Sequence, residues 1–251
     1  MLWGTLFLFL NFVEEMLKKA FYHYINISKG AGVLNKYFEH RVRVLKPMVE
    51  KIMHPKIFYE DSEMANKSLD EPCVIICTHM RKGDGVVPRY AFLQSPVCSL
   101  VAKDIMDIPV IKFASRGCKC IPIDRKGAAT NWIHTCLKEL RDGNSVVIFP
   151  EGTTYKDKDI EDFKSGFVIL AKMAGVKILP MAYNGPYKFF RKNSFKVLIG
   201  KPQSVESKGF TKPEVEAETR RFQGIVTDMY NKLNDDGENM FIEAENEPKL
   251  A

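Results

Sequence analysis

Residues 127–149 read GAATNWIHTCLKELRDGNSVVIF, a helix-length segment followed by a short apolar run. Gly143 stands where a helix is expected to stop, and the run SVVIF at 145–149 is typical of a buried strand. The same alternation recurs at SGFVILAKMAG, residues 165–175, which precedes another apolar run. This order predicts an α/β fold with a mostly parallel central sheet flanked by helices.

Seven apolar runs are predicted to be the strands of that sheet. They are KIFYE at 56–60, CVIICT at 73–78, VCSLVA at 97–102, KCIPI at 119–123, SVVIF at 145–149, KILPMAY at 177–183 and FKVLIG at 195–200. A last helix is expected at about 212–234. We therefore divide the chain into an N-terminal helical segment (1–55), an α/β domain (56–234) and an acidic, loosely ordered tail (235–251).

The composition is that of a folded protein with an uneven charge. Of the 251 residues, 45% are hydrophobic and 27% are charged, and the net charge is +6. From Asn234 onward six acids and one lysine give −5, which leaves about +11 for the remainder. A basic body favours anionic partners such as phospholipid head groups, coenzyme phosphates or nucleic acid, although a merely solvated surface has the same composition.

The N-terminus, MLWGTLFLFLNFVEEMLKKAFYHYI, is the most apolar segment. Its uncharged stretch ends at Glu14, short of the ~20 residues that a spanning helix needs, and it lacks the basic start of a signal peptide. We expect a helix that enters or lies along one membrane leaflet, with a helix packed on the domain core as the alternative. The stretch YKFFRKNSFK at 187–196 is either a second membrane contact or a solvated turn.

Six cysteines stand at 73, 77, 98, 118, 120 and 136, without a C-x-x-C pair or a matching His/Cys cluster. We therefore expect no metal site, and we interpret the cysteines as small core residues in a reducing compartment.

Polar segments follow three of the predicted strands, where the site of an α/β protein is expected. The run VIIC leads into THMRKGD, which contains His79 and Asp84. The Asp84 carboxylate can hold the imidazole Nδ1–H and leave Nε2 free to take a proton from a hydroxyl. Alternatively, Asp84 caps a helix that begins near Gly85, and both roles are compatible.

The other two segments are less specific alone. Arg125, after KCIPI, would grip a phosphate or form a surface pair with its neighbouring aspartate. After SVVIF, Glu151 would bind a substrate hydroxyl or order positively charged neighbours, and Gly152 would let the backbone approach a ligand; alternatively, the two simply form a turn. Pro180, in ILPMA, would shape a pocket wall or belong to a core strand.

Taken together and in this order, the segments resemble the motif pattern of a known family. HMRKGD at 79–84, the segment that ends at Asp124-Arg125, FPEGTT at 149–154 with FKSG at 163–166, and ILPMA at 178–182 resemble the motifs of the glycerolipid acyltransferases. The best-known members of that family are the 1-acylglycerol-3-phosphate acyltransferases, and the resemblance spans roughly 73–205.

The resemblance implies acyl transfer from acyl-CoA or acyl carrier protein to the hydroxyl of a lyso-lipid at a membrane. His79 would be the general base and Asp84 would hold it, without an acyl-enzyme, metal or further cofactor. Arg125 would bind the acceptor phosphate. The acceptor site would also include Glu151, Gly152, Thr153, Thr154 and Lys164. We expect a peripheral or monotopic protein on the cytoplasmic face of the cell membrane.

Two positions depart from the family pattern. Thr78 replaces the Asn that commonly precedes the histidine, and Thr154 replaces the Arg that many members carry after F-P-E-G-T. The second change weakens the prediction of a phosphate-bearing acceptor. Either Lys156 or Lys164 compensates as a point charge, or the acceptor is phosphate-free, such as a lyso-aminolipid.

Three other classes of protein fit less well. An α/β-hydrolase would need G-x-S-x-G, which does not occur in the chain. A non-catalytic lipid-binding relative would not need to retain His79, Asp84, Arg125 and Glu151 together. No nucleic-acid-binding motif is present, and we expect no nucleic-acid partner.

Overall fold

The computed structural model describes residues 46, 49–61, 65, 69–79, 84–93, 95–106, 120–123, 131–152, 160–184, 195–235 and 242–243. The strands are β1 Pro55–Tyr59, β2 Cys73–Cys77, β3 Val97–Ala102, β4 Cys120–Ile123, β5 Ser145–Ile148, β6 Lys177–Tyr183, β7 Phe195–Ile199 and β8 Ile242–Glu243. The α-helices are α1 Val87–Ala91, α2 Lys103–Met106, α3 Asn131–Arg141, α4 Gly166–Ala174 and α5 Lys212–Asn234. A π-helical turn, Val49–Met53, precedes β1, and a 3-10 turn, Asp84–Val86, leads into α1.

The strands form one sheet in the order β4-β3-β5-β2-β6-β7-β1-β8. The strands from β4 to β6 are all parallel, so their carboxyl ends lie along one edge. The antiparallel β6–β7 pair then reverses the direction of β7 and its parallel neighbour β1. The predicted α/β fold with a mostly parallel sheet is confirmed, and all seven predicted strands are present.

Helices cover both faces of the sheet, which explains the continuous apolar runs of its strands. Ile76 packs in a core with buried residues of α3, α4 and α5, whereas Ile75 packs on the other face with Val87 and Tyr90 of α1. All five residues of β2 are buried. The strand that carries His79 at its end is thus fixed from both sides.

The helix boundaries follow local signals in the sequence. α4 ends before Gly175, whose φ of +69° suits glycine and whose N–H caps the helix. α5 begins after Thr211, which forms a capping box with Glu214, and it covers the predicted 212–234. Of the predicted helix at 127–143, α3 occupies the described part from Asn131 to Arg141.

The C-terminal tail contains a strand that was not predicted, and most of the N-terminal segment is not described. Within the tail, β8 pairs antiparallel with β1, a contact that two residues of an acidic segment do not reveal from sequence. The apolar N-terminal segment up to residue 45 lies outside the described residues, as does most of 187–196. No helix in the described part of the chain is both long enough and apolar enough to cross a membrane.

Candidate active site

The candidate site lies at the carboxyl ends of β2 and β5, which are neighbouring parallel strands. β2 ends at Cys77, two residues before His79, and β5 ends at Ile148, three residues before Glu151. Two segments that are 72 residues apart in sequence therefore meet at one edge of the sheet. This is the edge where ligands bind in open α/β sheets.

His79 and Asp84 form a hydrogen-bonded pair, with the Nδ1 and Oδ2 atoms 3.3 Å apart. A carboxylate only accepts hydrogen bonds, so the ring proton belongs on Nδ1 and the Nε2 lone pair remains for a substrate. The Asp84 side chain is 1% exposed and that of His79 is 14% exposed. α1 begins only at Val87, with Val86 as its N-cap and no side-chain cap bond. Asp84 is itself the first residue of the 3-10 turn Asp84–Val86 that leads into α1.

Two residues from the end of β5 hold His79 from other directions. The Phe149 ring stacks on the imidazole with centroids 4.2 Å apart and planes inclined by 26°. The His79 backbone N–H donates to Glu151 Oε1 at 3.0 Å. The imidazole is thus fixed by a carboxylate and an aromatic face, and its backbone by a second carboxyl group.

Glu151 is an acid buried beside this pair. It is 2% exposed, and its Oε2 has no hydrogen-bond partner among the described residues. Burial raises the pKa of Glu151 to about 7, and the nearby acids Glu161 and Asp84 act in the same direction. Hydrogen bonds from the backbone N–H groups of His79 and Glu161 partly oppose this rise in pKa. Near neutral pH, Glu151 is therefore protonated and neutral in a large fraction of the protein molecules.

Thr78 and Tyr183 join the ends of β2 and β6 behind the pair. The Tyr183 backbone N–H donates to Thr78 Oγ1 at 3.0 Å, so the threonine at the usual Asn position does form a hydrogen bond. The Tyr183 hydroxyl donates to the backbone oxygen of Asp84 at 3.4 Å. The sequence did not reveal Tyr183 and Phe149 as site residues, because each is the last apolar residue of a predicted strand and was interpreted as part of the core. Their position at a strand end beside a motif was the available signal.

Gly152 and Lys164 meet at the turn after Glu151. Gly152 has φ +75°, and a Cβ there would lie 2.6 Å from the Lys164 ammonium nitrogen. The Lys164 backbone N–H donates to the Pro150 carbonyl at 2.9 Å, which ties FKSG to the Pro-Glu-Gly turn. The lack of a side chain at Gly152 therefore gives space to a positive charge beside the site.

Other chemistry at this edge is limited by burial. Burial raises the pKa of the Cys77 thiol well above its usual value, so this cysteine next to the motif is not a thiolate nucleophile.

Within the described ranges, His, Cys, Asp and Glu side chains do not gather in a group that could hold a metal ion.

Three predicted site residues, Arg125, Thr153 and Thr154, lie outside the described residues. The structure thus brings together His79, Asp84, Glu151, Gly152 and Lys164 at one edge. Pro180 is buried within β6, as expected for a core strand.

Comparison with known proteins identifies the family. A protein-family model described as Acyltransferase matches residues 56–184, more than half of the chain. The chain belongs to the acyltransferase family.

Relatives agree with this assignment, and a solved structure shares the fold. The chain is 28% identical over 174 residues to the 1-acyl-sn-glycerol-3-phosphate acyltransferase of Bacillus subtilis, which covers 67% of this chain and 86% of that protein. It is 27% identical to the enzyme of the same name from Streptococcus pneumoniae, over 47% of this chain and 43% of that one. The 1-acyl-sn-glycerophosphate (LPA) acyltransferase PlsC from Thermotoga maritima shares the fold, with a TM-score of 0.58, 20% identity and 80% of each chain covered.

The acyltransferase match includes β1 from its second residue, every strand from β2 to β6 and all of the described site residues. For acyl transfer to a hydroxyl, a neutral imidazole held by a carboxylate is a suitable general base. The remaining elements, β7, α5 and β8, lie beyond the matched range and complete the sheet and one of its covering layers.

Proposed function

We propose that this acyltransferase moves a fatty acyl group from acyl-CoA or acyl carrier protein to the hydroxyl of 1-acylglycerol-3-phosphate, giving phosphatidate for phospholipid synthesis. The observation that carries the proposal is the His79–Asp84 pair, with 3.3 Å between Nδ1 and Oδ2, in a chain whose relatives are named for this reaction.

The chemistry needs one proton relay and no acyl-enzyme. Nε2 of His79 takes the proton of the acceptor hydroxyl as its oxygen attacks the thioester carbonyl carbon. The tetrahedral intermediate then breaks its C–S bond, and the leaving thiolate recovers the proton from the imidazolium. Asp84 stabilises the transient positive charge and keeps the Nδ1–H tautomer.

A phosphate-bearing acceptor would be bound by positive charges near this edge. We propose that Arg125 and Lys164 take this role and that Thr153 and Thr154 contribute to the same acceptor site. The Lys164 ammonium lies over the Cβ position of Gly152, within the turn that follows Glu151, which supports its role as a point charge for phosphate.

A second candidate acceptor is a phosphate-free lyso-lipid, such as a lyso-aminolipid, because Thr154 stands where many members have arginine. A screen of acceptors presented at equal surface concentration tests this choice. We expect turnover with lysophosphatidate to exceed that with phosphate-free lyso-lipids by at least about tenfold, since a charge-assisted contact to phosphate contributes roughly 1.5–3 kcal/mol. Activity confined to the phosphate-free group would overturn the acceptor assignment and leave the chemistry intact.

We also propose a peripheral or monotopic association with the cytoplasmic face of the cell membrane. Pro55 pairs with Phe195, two residues before the position at which β7 pairs with Tyr183. The start of β1 is therefore at the same end of the sheet as His79. The chain enters the sheet at this end, downstream of the apolar N-terminal segment, which favours a site that opens towards lipid.

The role of His79 as general base is tested by comparing His79→Ala with His134→Ala. His134 is an exposed histidine on α3 and is a matched control for the loss of an imidazole. We expect His79→Ala to lower kcat for thioester consumption with lysophosphatidate by roughly 10²–10⁴-fold, and His134→Ala to leave it unchanged. Equal turnover in the two variants would rule out His79 as the base.

A further inference from the structure

Glu151 contacts the backbone of His79, a contact that the motif did not predict. Its Oε1 accepts the His79 amide hydrogen at 3.0 Å, and the side chain is 2% exposed. A buried carboxyl group of this kind is remote from solvent in the structure, unlike Gly152 beside it, which is exposed. Glu151 is therefore buried against the backbone of His79.

We propose that Glu151 is a positioning residue that sets the orientation of His79 by holding its backbone amide, rather than a ligand of the acceptor. The proposal deepens the proposed function and rests on it for the kinetic readout.

The contact is placed where it controls the geometry of the base. His79 is the second residue after β2, so its backbone has left the ladder of the sheet and needs another acceptor for its N–H. Glu151 supplies that acceptor from the segment that follows the neighbouring β5, and Phe149 of the same segment stacks on the imidazole. The ring, its Nδ1–H and its backbone N–H are thus each held by a different group.

The chemistry of the second oxygen supports a positioning role. Oε2 has no hydrogen-bond partner among the described residues, and a fully ionised carboxylate in this position would be costly. The raised pKa of Glu151, caused first by burial, agrees with a side chain that is largely neutral up to about pH 7. A neutral amide would therefore replace it with the same acceptor oxygen and nearly the same shape.

The experiment compares Glu151→Gln with Glu151→Ala, and uses Glu71→Ala as a matched control. Glu71 is 76% exposed and precedes β2 at the opposite end of the sheet from His79. For each full-length variant we would measure kcat and the KM for lysophosphatidate. We expect Glu151→Gln to retain kcat within about threefold and Glu151→Ala to lose roughly 10–100-fold, with the KM of both within about threefold of the wild type.

Hydrogen exchange at the His79 amide provides a readout that does not depend on the reaction. We expect protection in the wild type and in Glu151→Gln, and at least about tenfold faster exchange in Glu151→Ala. A tenfold rise in KM for Glu151→Gln would instead identify an acceptor ligand, and a loss of kcat in Glu151→Gln as large as in Glu151→Ala would identify a proton-transfer role. Inactivity of the wild type on lysophosphatidate would contradict only the proposed acceptor, because the exchange readout does not depend on turnover. Unprotected exchange at the His79 amide in Glu151→Gln would overturn the positioning role by itself.

Discussion

Two acidic side chains meet His79, and they act on different parts of it. Asp84 contacts the ring at Nδ1, whereas Glu151 contacts the backbone N–H. The first contact was predictable, because five positions of sequence connect the two residues. The second was not, because it joins residues 72 apart through the pairing of β2 with β5. A motif shows which groups are present, but the register of the sheet decides which atoms they reach.

The buried state of Glu151 predicts a pH-dependent contribution to stability. Its pKa rises from 4.5 in the unfolded chain to about 7 in the fold. Between these pH values the unfolded state has lost the proton and the folded state still binds it, so the free energy of unfolding falls as pH rises. The contribution is present in full below about pH 4.5 and is lost through pH 7, amounting to roughly 1–3 kcal/mol.

Glu151→Gln removes this dependence, and urea unfolding at pH 5, 6, 7 and 8 would measure it. We expect the stability of Glu151→Gln relative to the wild type to increase from pH 5 to pH 8, because all other titrating groups are common to both proteins. Glu71→Gln, at an exposed position, should show no such trend. Parallel stability curves for Glu151→Gln and the wild type would contradict the raised pKa.

At the scale of elements, the strands were predictable and their connections at the site were not. β2 is buried on both faces, so it reads as an uninterrupted apolar run in the sequence. α4 and α5 were predictable because a glycine stop and a capping box mark their ends. Tyr183 was hidden inside the apolar run of β6, although its backbone N–H and hydroxyl reach Thr78 and Asp84. Hydrophobic patterning does not distinguish a tyrosine that only packs from one that also positions a loop.

At the scale of the whole molecule, the arrangement of the sheet gives the domain two different ends. His79 and the start of β1 lie at one end, whereas the β8 pairing with Phe58 and Tyr59 lies at the other. The chain that follows the apolar N-terminal segment therefore enters the sheet on the catalytic side. A basic body of about +11 outside the acidic tail would add attraction to anionic lipid. The entry point of the chain favours an orientation with the catalytic end towards the membrane.

This orientation predicts that charges introduced into the N-terminal segment will weaken membrane binding without impairing the chemical step. The double substitution Phe7→Glu with Phe9→Glu places two carboxylates in the uncharged stretch of the full-length chain. A charge at depth in a bilayer costs roughly 2.5–3.5 kcal/mol, so we expect sedimentation with anionic vesicles to fall by at least about tenfold. Turnover with a vesicle-borne acceptor should fall with it, whereas turnover with a soluble short-chain acceptor should stay within about twofold.

The matched control is Phe7→Leu with Phe9→Leu, which changes the same positions and keeps them apolar. We expect this variant to bind vesicles and acylate the vesicle-borne acceptor like the wild type, because burial of leucine in the interface is similarly favourable. If the glutamate variant sediments with vesicles as well as the leucine variant does, the N-terminal segment is not the membrane contact. A glutamate variant that also loses turnover with the soluble acceptor would favour the alternative in which this segment packs on the core of the domain.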